Sequence, residues 1–282
     1  MILRTKTMML VFFLVFFALM SGCEFNKPNS KNVETFKSTN NDVIEIHGSL
    51  ENIERLDAFV KNTQSNKKDQ IRLIRYTIEG DPILHGLDYD GTNLTFTLDT
   101  TRDKFGKGGV EAFSCKSIEK KETNTETAYL LNGCSDSSIK ELLTISHNVE
   151  REDYFAFRLK YGTGKTNEID TKNHKLVKAL QNGTFVLNDF QLSKEDMNNV
   201  YKLMILSNFL EEKKLSKKCN QKPSGSYELD VWINSALRHF KWSECDNSKD
   251  GKEMTKLAIG IIDIVKHNPV YKTLPEENSE YK

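Results

Sequence analysis

Ile71-Arg-Leu-Ile-Arg-Tyr-Thr-Ile78, the break Gly80-Asp-Pro82 and the run Ile83-Leu-His-Gly-Leu-Asp-Tyr89 read as strand, turn and strand. β-Branched and aromatic residues fill both runs, and Gly80 with Pro82 supplies the turn chemistry between them. Leu94-Thr-Phe-Thr-Leu98 alternates apolar and polar, as a half-buried strand does, and Asp90-Gly91 before it is a two-residue hairpin signal. Upstream, Ser49 is placed to cap a helix whose apolar face is Ile53, Leu56, Phe59 and Val60. Downstream, after the Gly-rich loop 100–109, strands are expected at 110–118 and 128–133, bringing Cys115 and Cys134 onto one ribbon. The expectation is an α+β domain over 44–135, with one helix against a mainly antiparallel sheet.

A second α+β domain of the same kind is expected over 153–282. Phe155-Ala-Phe-Arg-Leu-Lys-Tyr161 alternates as a strand. Leu192-Ser-Lys-Glu-Asp196 opens a helix with a capping box, and Met197, Val200, Tyr201 and Met204 line one face of it. The runs 227–233 and 237–242 form a hairpin across Asn234-Ser235. A last helix over 253–267 carries Leu257, Ile261, Ile264 and Val265, and Pro269 and Pro275 make the tail non-helical. Residues 136–152 are read as the connector, with Leu142, Leu143 and Ile145 as a short packed helix.

The N-terminus is of another kind. Arg4 and Lys6 precede an apolar run, Met8-Met-Leu-Val-Phe-Phe-Leu-Val-Phe-Phe-Ala-Leu-Met20. At roughly 13 residues it suits a signal-peptide core and is too short to span a bilayer. Leu19-Met-Ser-Gly-Cys23 follows and resembles the lipobox of bacterial lipoproteins, with Met20 where a leucine is usual. The resemblance implies cleavage after Gly22, a diacylglyceryl thioether on Cys23 and attachment to the outer face of a membrane. Two acyl chains give stable anchoring where one does not. Residues 23–43, rich in Asn, Lys, Ser and Thr, are the expected lipidated tether.

Composition excludes more than it assigns. Lys plus Arg and Asp plus Glu stand at 40 each, so no global field points to nucleic acid. With Cys23 taken by lipid, Cys115, Cys134, Cys219 and Cys245 remain as candidates for two bridges outside the cell. Of three pairings, Cys115–Cys134 and Cys219–Cys245 are preferred because each lies within one expected domain; free cysteines are the plainer alternative. None lies in a C-x-x-C motif, and none of the six histidines falls in ligand spacing, so no metal and no cofactor is expected.

Several motifs invite chemistry and yield to blander readings. Gly162-Thr-Gly-Lys-Thr166 looks like a phosphate loop but has Leu159 where its first glycine belongs, so it reads as a turn. Asp88-Tyr-Asp-Gly-Thr-Asn93 misplaces the glycine of a calcium loop and reads as a hairpin. Trp232 and Trp242, with Tyr227 and Phe240, make either an exposed aromatic platform or packing under the last helix, and packing is preferred. Arg75 and Arg102 are candidate anion-binding residues, with Arg75 approaching the Arg102-Asp103 loop; a salt bridge holding that loop is the simpler alternative.

His47-Gly-Ser-Leu-Glu-Asn-Ile-Glu-Arg-Leu-Asp57, Arg75-Tyr-Thr-Ile-Glu-Gly-Asp-Pro-Ile83, Leu87-Asp-Tyr-Asp-Gly91, Asp99-Thr-Thr-Arg-Asp-Lys-Phe-Gly106, Cys115-Lys-Ser-Ile118 and Gly133-Cys134 together resemble a Gram-positive bacterial lipoprotein family, the domain of unknown function numbered 4362. The second half looks like a companion domain of similar lipoproteins, through Tyr161-Gly162, Asn167-Glu-Ile-Asp170, Leu192-Ser193 and Tyr271-Lys-Thr-Leu-Pro275. The resemblance implies a lipid-anchored surface protein and carries over no catalytic residue. The expected function is therefore a non-catalytic binding or interaction module of the cell envelope, its partner an envelope protein or a glycan. The rival expectation is an envelope hydrolase using paired carboxylates, Glu79 with Asp81 or Asp99 with Asp103.

Overall fold

The computed structural model describes residues 37–220 and 224–276. The expected signal peptide, Cys23 and most of the expected tether lie outside the described residues. Among those described, no helix is long and apolar enough to cross a membrane. The described residues from Thr39 onward form one compact unit, built as an α+β fold of two sheet–helix domains.

The first domain starts from β1 (Asp42–Ile46) and β2 (Ser49–Glu51), joined by His47 and Gly48 at φ 49° and 91°. Positive φ at both positions makes the primed turn that matches strand twist, and glycine takes the more extreme of the two. This turn overrides the expected cap: Ser49 begins β2, and Asn52 stands at the start of helix α1 (Ile53–Gln64), whose Leu56, Phe59 and Val60 are buried as expected. The helix carries the chain over to β3 (Asp69–Tyr76), which pairs parallel to β1 as such crossovers allow. Then β4 (Pro82–Tyr89), β5 (Leu94–Asp99) and β6 (Val110–Cys115) follow antiparallel, giving the sheet order β2-β1-β3-β4-β5-β6. The β4–β5 turn has four residues rather than two. Tyr89 pairs with Leu94, and the Asp90 carboxylate accepts from the N–H groups of Thr92 and Asn93.

The expected strand 110–118 is in fact two. Lys116 breaks it, and β7 (Ser117–Glu122) joins β8 (Glu126–Asn132) and β9 (Glu141–Ser146) in a separate three-stranded sheet. Cys115 and Cys134 are bonded, with Cα atoms 3.8 Å apart, but they link the end of one sheet to the end of the other rather than sharing a ribbon. The expected short helix at Leu142, Leu143 and Ile145 is strand β9. Helix α1 and the small sheet cover one face of the larger sheet, and Phe59, Leu73, Leu87, Tyr129 and Leu143 share that core.

The second domain is a six-stranded antiparallel sheet ordered β13-β12-β11-β10-β14-β15. Its strands are β10 (Phe155–Thr163), β11 (Asn167–Asp170), β12 (Lys175–Leu180), β13 (Gly183–Asn188), β14 (Gly225–Ile233) and β15 (Ala236–Ser243). The phosphate-loop lookalike is the β10–β11 turn, with Gly162, Gly164 and Lys165 at positive φ. Helix α2 (Lys194–Leu206) begins at Ser193 with the expected capping box to Asp196. Helix α3 (Lys249–His267) is capped by Ser248. Both helices lie on one face, where Phe157, Leu159, Leu229 and Val231 meet Val200, Met204, Leu257 and Ile261. The tail departs from expectation: Pro269 opens one helical turn, α4 (Pro269–Lys272), capped by Asn268. Proline is tolerated at a first helical position because its missing N–H has no partner there anyway. Cys219 and Cys245 are bonded as well.

Candidate functional site

The sheet of the second domain has one face without a helix, and its side chains follow from register alone. Residues directly opposite each other in antiparallel strands share a face. One row across all six strands therefore reads Asn188, Lys175, Asp170, Arg158, Asp230, His239. The next reads Val186, Val177, Glu168, Lys160, Glu228, Lys241. From Lys175 to Asp230 in the first row and from Glu168 to Lys241 in the second the charges alternate in sign, so cation faces carboxylate across neighbouring strands.

Asp230 and Glu228 lie at the centre of this lattice. Arg158 Nε and Nη2 donate to Asp230 Oδ2, at 3.0 and 2.5 Å, and His239 Nδ1 contacts Oδ1. Lys165 Nζ is 2.6 Å from Glu228 Oε2, and Lys241 Nζ is 3.2 Å from Oε1. Glu228, Asp230 and His239 each offer one ligand atom, all within 4.8 Å of one another. This donor set suits a divalent cation in chemical type. Its electrostatics are those of satisfied ion pairs. Burial pushes the Glu228 carboxyl up, but Lys165 and Lys241 outweigh burial and hold it at about 2.

Trp232 stands on the same face, with Lys172 Nζ 4.3 Å and the Arg158 guanidinium 6.0 Å from its ring centre. Trp242 is on the opposite face, 1 % exposed, stacked on Tyr227 and donating from Nε1 to Thr255 Oγ1 of α3 at 2.9 Å. The two tryptophans therefore form no common platform.

A cavity of about 300 Å³ lies where the domains meet. Leu143 and Ile145 of β9, with Ile205 and Phe209 at the end of α2, give it apolar walls, and Glu45, Ser49, Arg75 and Asn208 give it polar ones. Asn208 is buried and holds β2 by both amide atoms: Oδ1 accepts from Leu50 N at 2.8 Å, and Nδ2 donates to Leu50 O at 2.7 Å.

Arg75 and Arg102 are placed apart in their pairing. Arg75 Nε lies 3.2 Å from Glu45 Oε2, across the β1–β3 pair, and lines the cavity. Arg102 Nη1 lies 2.8 Å from Asp99 Oδ2 and does not line it. Of the acidic residues singled out in the sequence, Asp81, Asp99 and Asp103 serve the loop 100–109. Asp81 takes both Lys104 N and Lys104 Nζ, at 3.0 and 2.7 Å; Asp103 accepts from Phe105 N and Gly106 N. Hydrogen bonds from Lys104 hold the Asp81 carboxyl below its ordinary range. Asp99 likewise titrates low, its hydrogen bonds from Thr101 and Arg102 outweighing burial.

The Glu228–Asp230–His239 cluster was not singled out from sequence, yet its signal was there. A hairpin centred on Asn234-Ser235 pairs residues whose numbers sum to a constant, which sets 230 opposite 239 and 228 opposite 241. No comparable signal marks the cavity, whose walls come from four distant stretches of chain.

Residues 40–130 match a protein family described as Domain of unknown function (DUF4362). No curated protein and no solved structure matches the chain. The matched stretch runs from just before β1 into β8 and includes Arg75 and Arg102, so the first domain of this chain is a DUF4362-family domain.

Proposed function

We propose that the chain is an extracytoplasmic binding protein, carried on a membrane by lipid at Cys23, which takes an apolar group of an envelope ligand into the cavity at the domain junction. The observation that supports this is the cavity itself: about 300 Å³, with Leu143, Ile145, Ile205 and Phe209 as walls and Arg75 and Ser49 beside them. Concave apolar sites with a few convergent polar groups, set between domains, are where ligands bind.

A second reading, envelope hydrolysis, has the more specific chemistry behind it, because Glu228, Asp230 and His239 are the reactive side-chain types gathered within 4.8 Å. What weighs against it is charge state. Carboxylate-pair hydrolysis needs one carboxyl kept protonated near neutral pH. Glu228 is held at about 2, and the Asp230 oxygens are taken by Arg158 and His239.

One experiment addresses both. The mature chain, its Leu143→Trp variant and its His239→Ala variant are incubated with an apolar fluorescent probe and, separately, with purified envelope glycan. Binding predicts one saturable probe site that Leu143→Trp abolishes and His239→Ala leaves intact, with the glycan unchanged. Glycan cleavage lost in His239→Ala, with the probe site unaffected by Leu143→Trp, overturns the binding reading in favour of hydrolysis.

A further inference from the structure

Strand β15 is an edge of its sheet, and its free side can be worked out from the hairpin. Asn234 and Ser235 make a two-residue turn, so Ile233 and Ala236 flank it as a hydrogen-bonded pair. Ala236, Arg238, Phe240 and Trp242 therefore direct their backbone groups toward β14, while Leu237, His239, Lys241 and Ser243 direct theirs outward. Ser243 confirms the parity: its N–H donates outward to Ser216 O at 2.9 Å. Among the described residues, no acceptor takes the N–H of Leu237, His239 or Lys241.

The reason is the path of residues 211–217, which run beside β15 without pairing along it. This strap is fixed at its start by Arg238 Nη2 donating to Glu211 O at 2.7 Å. At its far end Lys214 N donates to Asp250 and Ser216 N to Asp246, at 2.7 and 2.6 Å. Between strap and strand lies a cavity of about 360 Å³, lined by both. Its available charge leans basic. Lys217 and Arg238 line it with a single carboxylate, Glu212, while Lys213 is already paired with Glu253 at 2.8 Å and Lys241 with Glu228 at 3.2 Å. Leu215 and Phe240 add apolar wall, and Leu237, 56 % exposed, stands at the same edge.

An exposed edge with unpaired N–H and C=O groups is a template for a further strand, and natural sheets usually blunt it with a cover or a bulge. Here the cover stands off and leaves a slot. We propose that an extended acidic peptide segment of a partner protein docks in this slot as an added strand on β15. Its backbone pairs with Leu237, His239 and Lys241, and its carboxylates meet Lys217 and Arg238. Main-chain pairing supplies the affinity and the basic rim selects the partner. This site is separate from the junction cavity and does not depend on what that cavity binds.

The test uses the mature chain with two fluorescein-labelled hexapeptides of equal β-propensity, one alternating Glu with Val and one alternating Lys with Val. The acidic peptide should bind with saturation, and the basic one about tenfold or more weaker. Amide exchange at Leu237, His239 and Lys241 should slow on binding, while that at Arg238 and Phe240 stays as it was. His239→Pro removes one outward N–H without touching the β14 ladder and should abolish binding. Lys217→Glu, which leaves β15 and the Arg238–Glu211 anchor of the strap in place, should weaken it about tenfold even if the proline variant fails to fold. Equal binding of both peptides, or full binding by a folded His239→Pro, overturns the proposal. So does binding of polyphosphate in place of the acidic peptide, or a dimer of this chain that His239→Pro dissolves.

Discussion

His85 shows how a single residue sets a pH dependence. It lies on β4 between Leu73 and Leu98, its ring stacked 6.0 Å from Phe96, and its buried Nδ1 has no hydrogen-bond partner. Burial, with the Arg75 charge beside it, pulls its pKa from 6.5 to about 4. The unfolded chain thus takes up this proton near 6.5 and the folded chain only near 4. Between those values the unfolded state binds more protons, so stability falls as pH drops through the window and the loss is complete at its lower end. At ~1.4 kcal/mol per pKa unit the fall is at most about 3 kcal/mol. Glu122 and Glu228, both held at about 2, act lower: their contribution is present above the ordinary glutamate value of 4.5 and is lost as pH falls toward 2. His85→Phe keeps an aromatic ring beside Phe96 and removes the titration. Urea midpoints at pH 7 and pH 5 should therefore differ in the wild type and differ less in the variant, where His147, whose pKa burial also lowers, keeps a share of the dependence; a difference as large in the variant as in the wild type would contradict the assignment.

At the scale of elements, what was legible in the sequence followed from local chemistry. The capping box at Ser193, the buried stripe of α1 and the Asn234-Ser235 hairpin all report on residues within four places of one another. The misreadings came where a partner strand decides. Leu142 and Leu143 are both buried although neighbours in a strand should face opposite ways, because the β8–β9 register shifts at Tyr129/Leu130 and leaves Leu142 unpaired. That bulge imitates a helical pattern in the sequence. Strands β12 and β13 are faint for another reason: Val177 and Val186 stand on the outward face while Lys178 is buried on the inward one, which breaks up the apolar alternation. The Cys115–Cys134 bridge is the covalent tie between the two sheets that the sequence reading had merged. Its ends are 19 residues apart, for which loop-closure entropy gives about 3 kcal/mol. Replacing both cysteines by serine should lower the unfolding free energy by that order in urea titration. A change below about 0.5 kcal/mol would mean that packing alone sets the relation of the sheets.

Over the whole molecule, the two cores meet through α2 and the turn after it. Ile205 packs against both. Asn198, fully buried, accepts from Val149 N at 3.0 Å and donates to Asn124 Oδ1 at 3.2 Å. Lys202 Nζ lies 2.7 Å from Glu122 on β7, and Asn208 clamps Leu50 of β2. None of this was readable from either half alone, since each asparagine's partner sits at least 49 residues away in the chain. Asn198 Nδ2 and both amide atoms of Asn208 take their partners across the junction, and a buried donor or acceptor left unsatisfied there costs about 1–3 kcal/mol. The junction thus couples the domains strongly enough that neither core should melt alone, and calorimetry of the mature chain should show one transition. Asn198→Ala with Asn208→Ala removes both clamps while leaving each core intact. The double variant should split that transition in two and open the junction cavity to solvent, weakening probe binding there without touching the β15 slot. Two well-separated transitions in the wild type would show instead that the domains merely adjoin, and a cavity between adjoining domains would have no fixed shape with which to select a ligand.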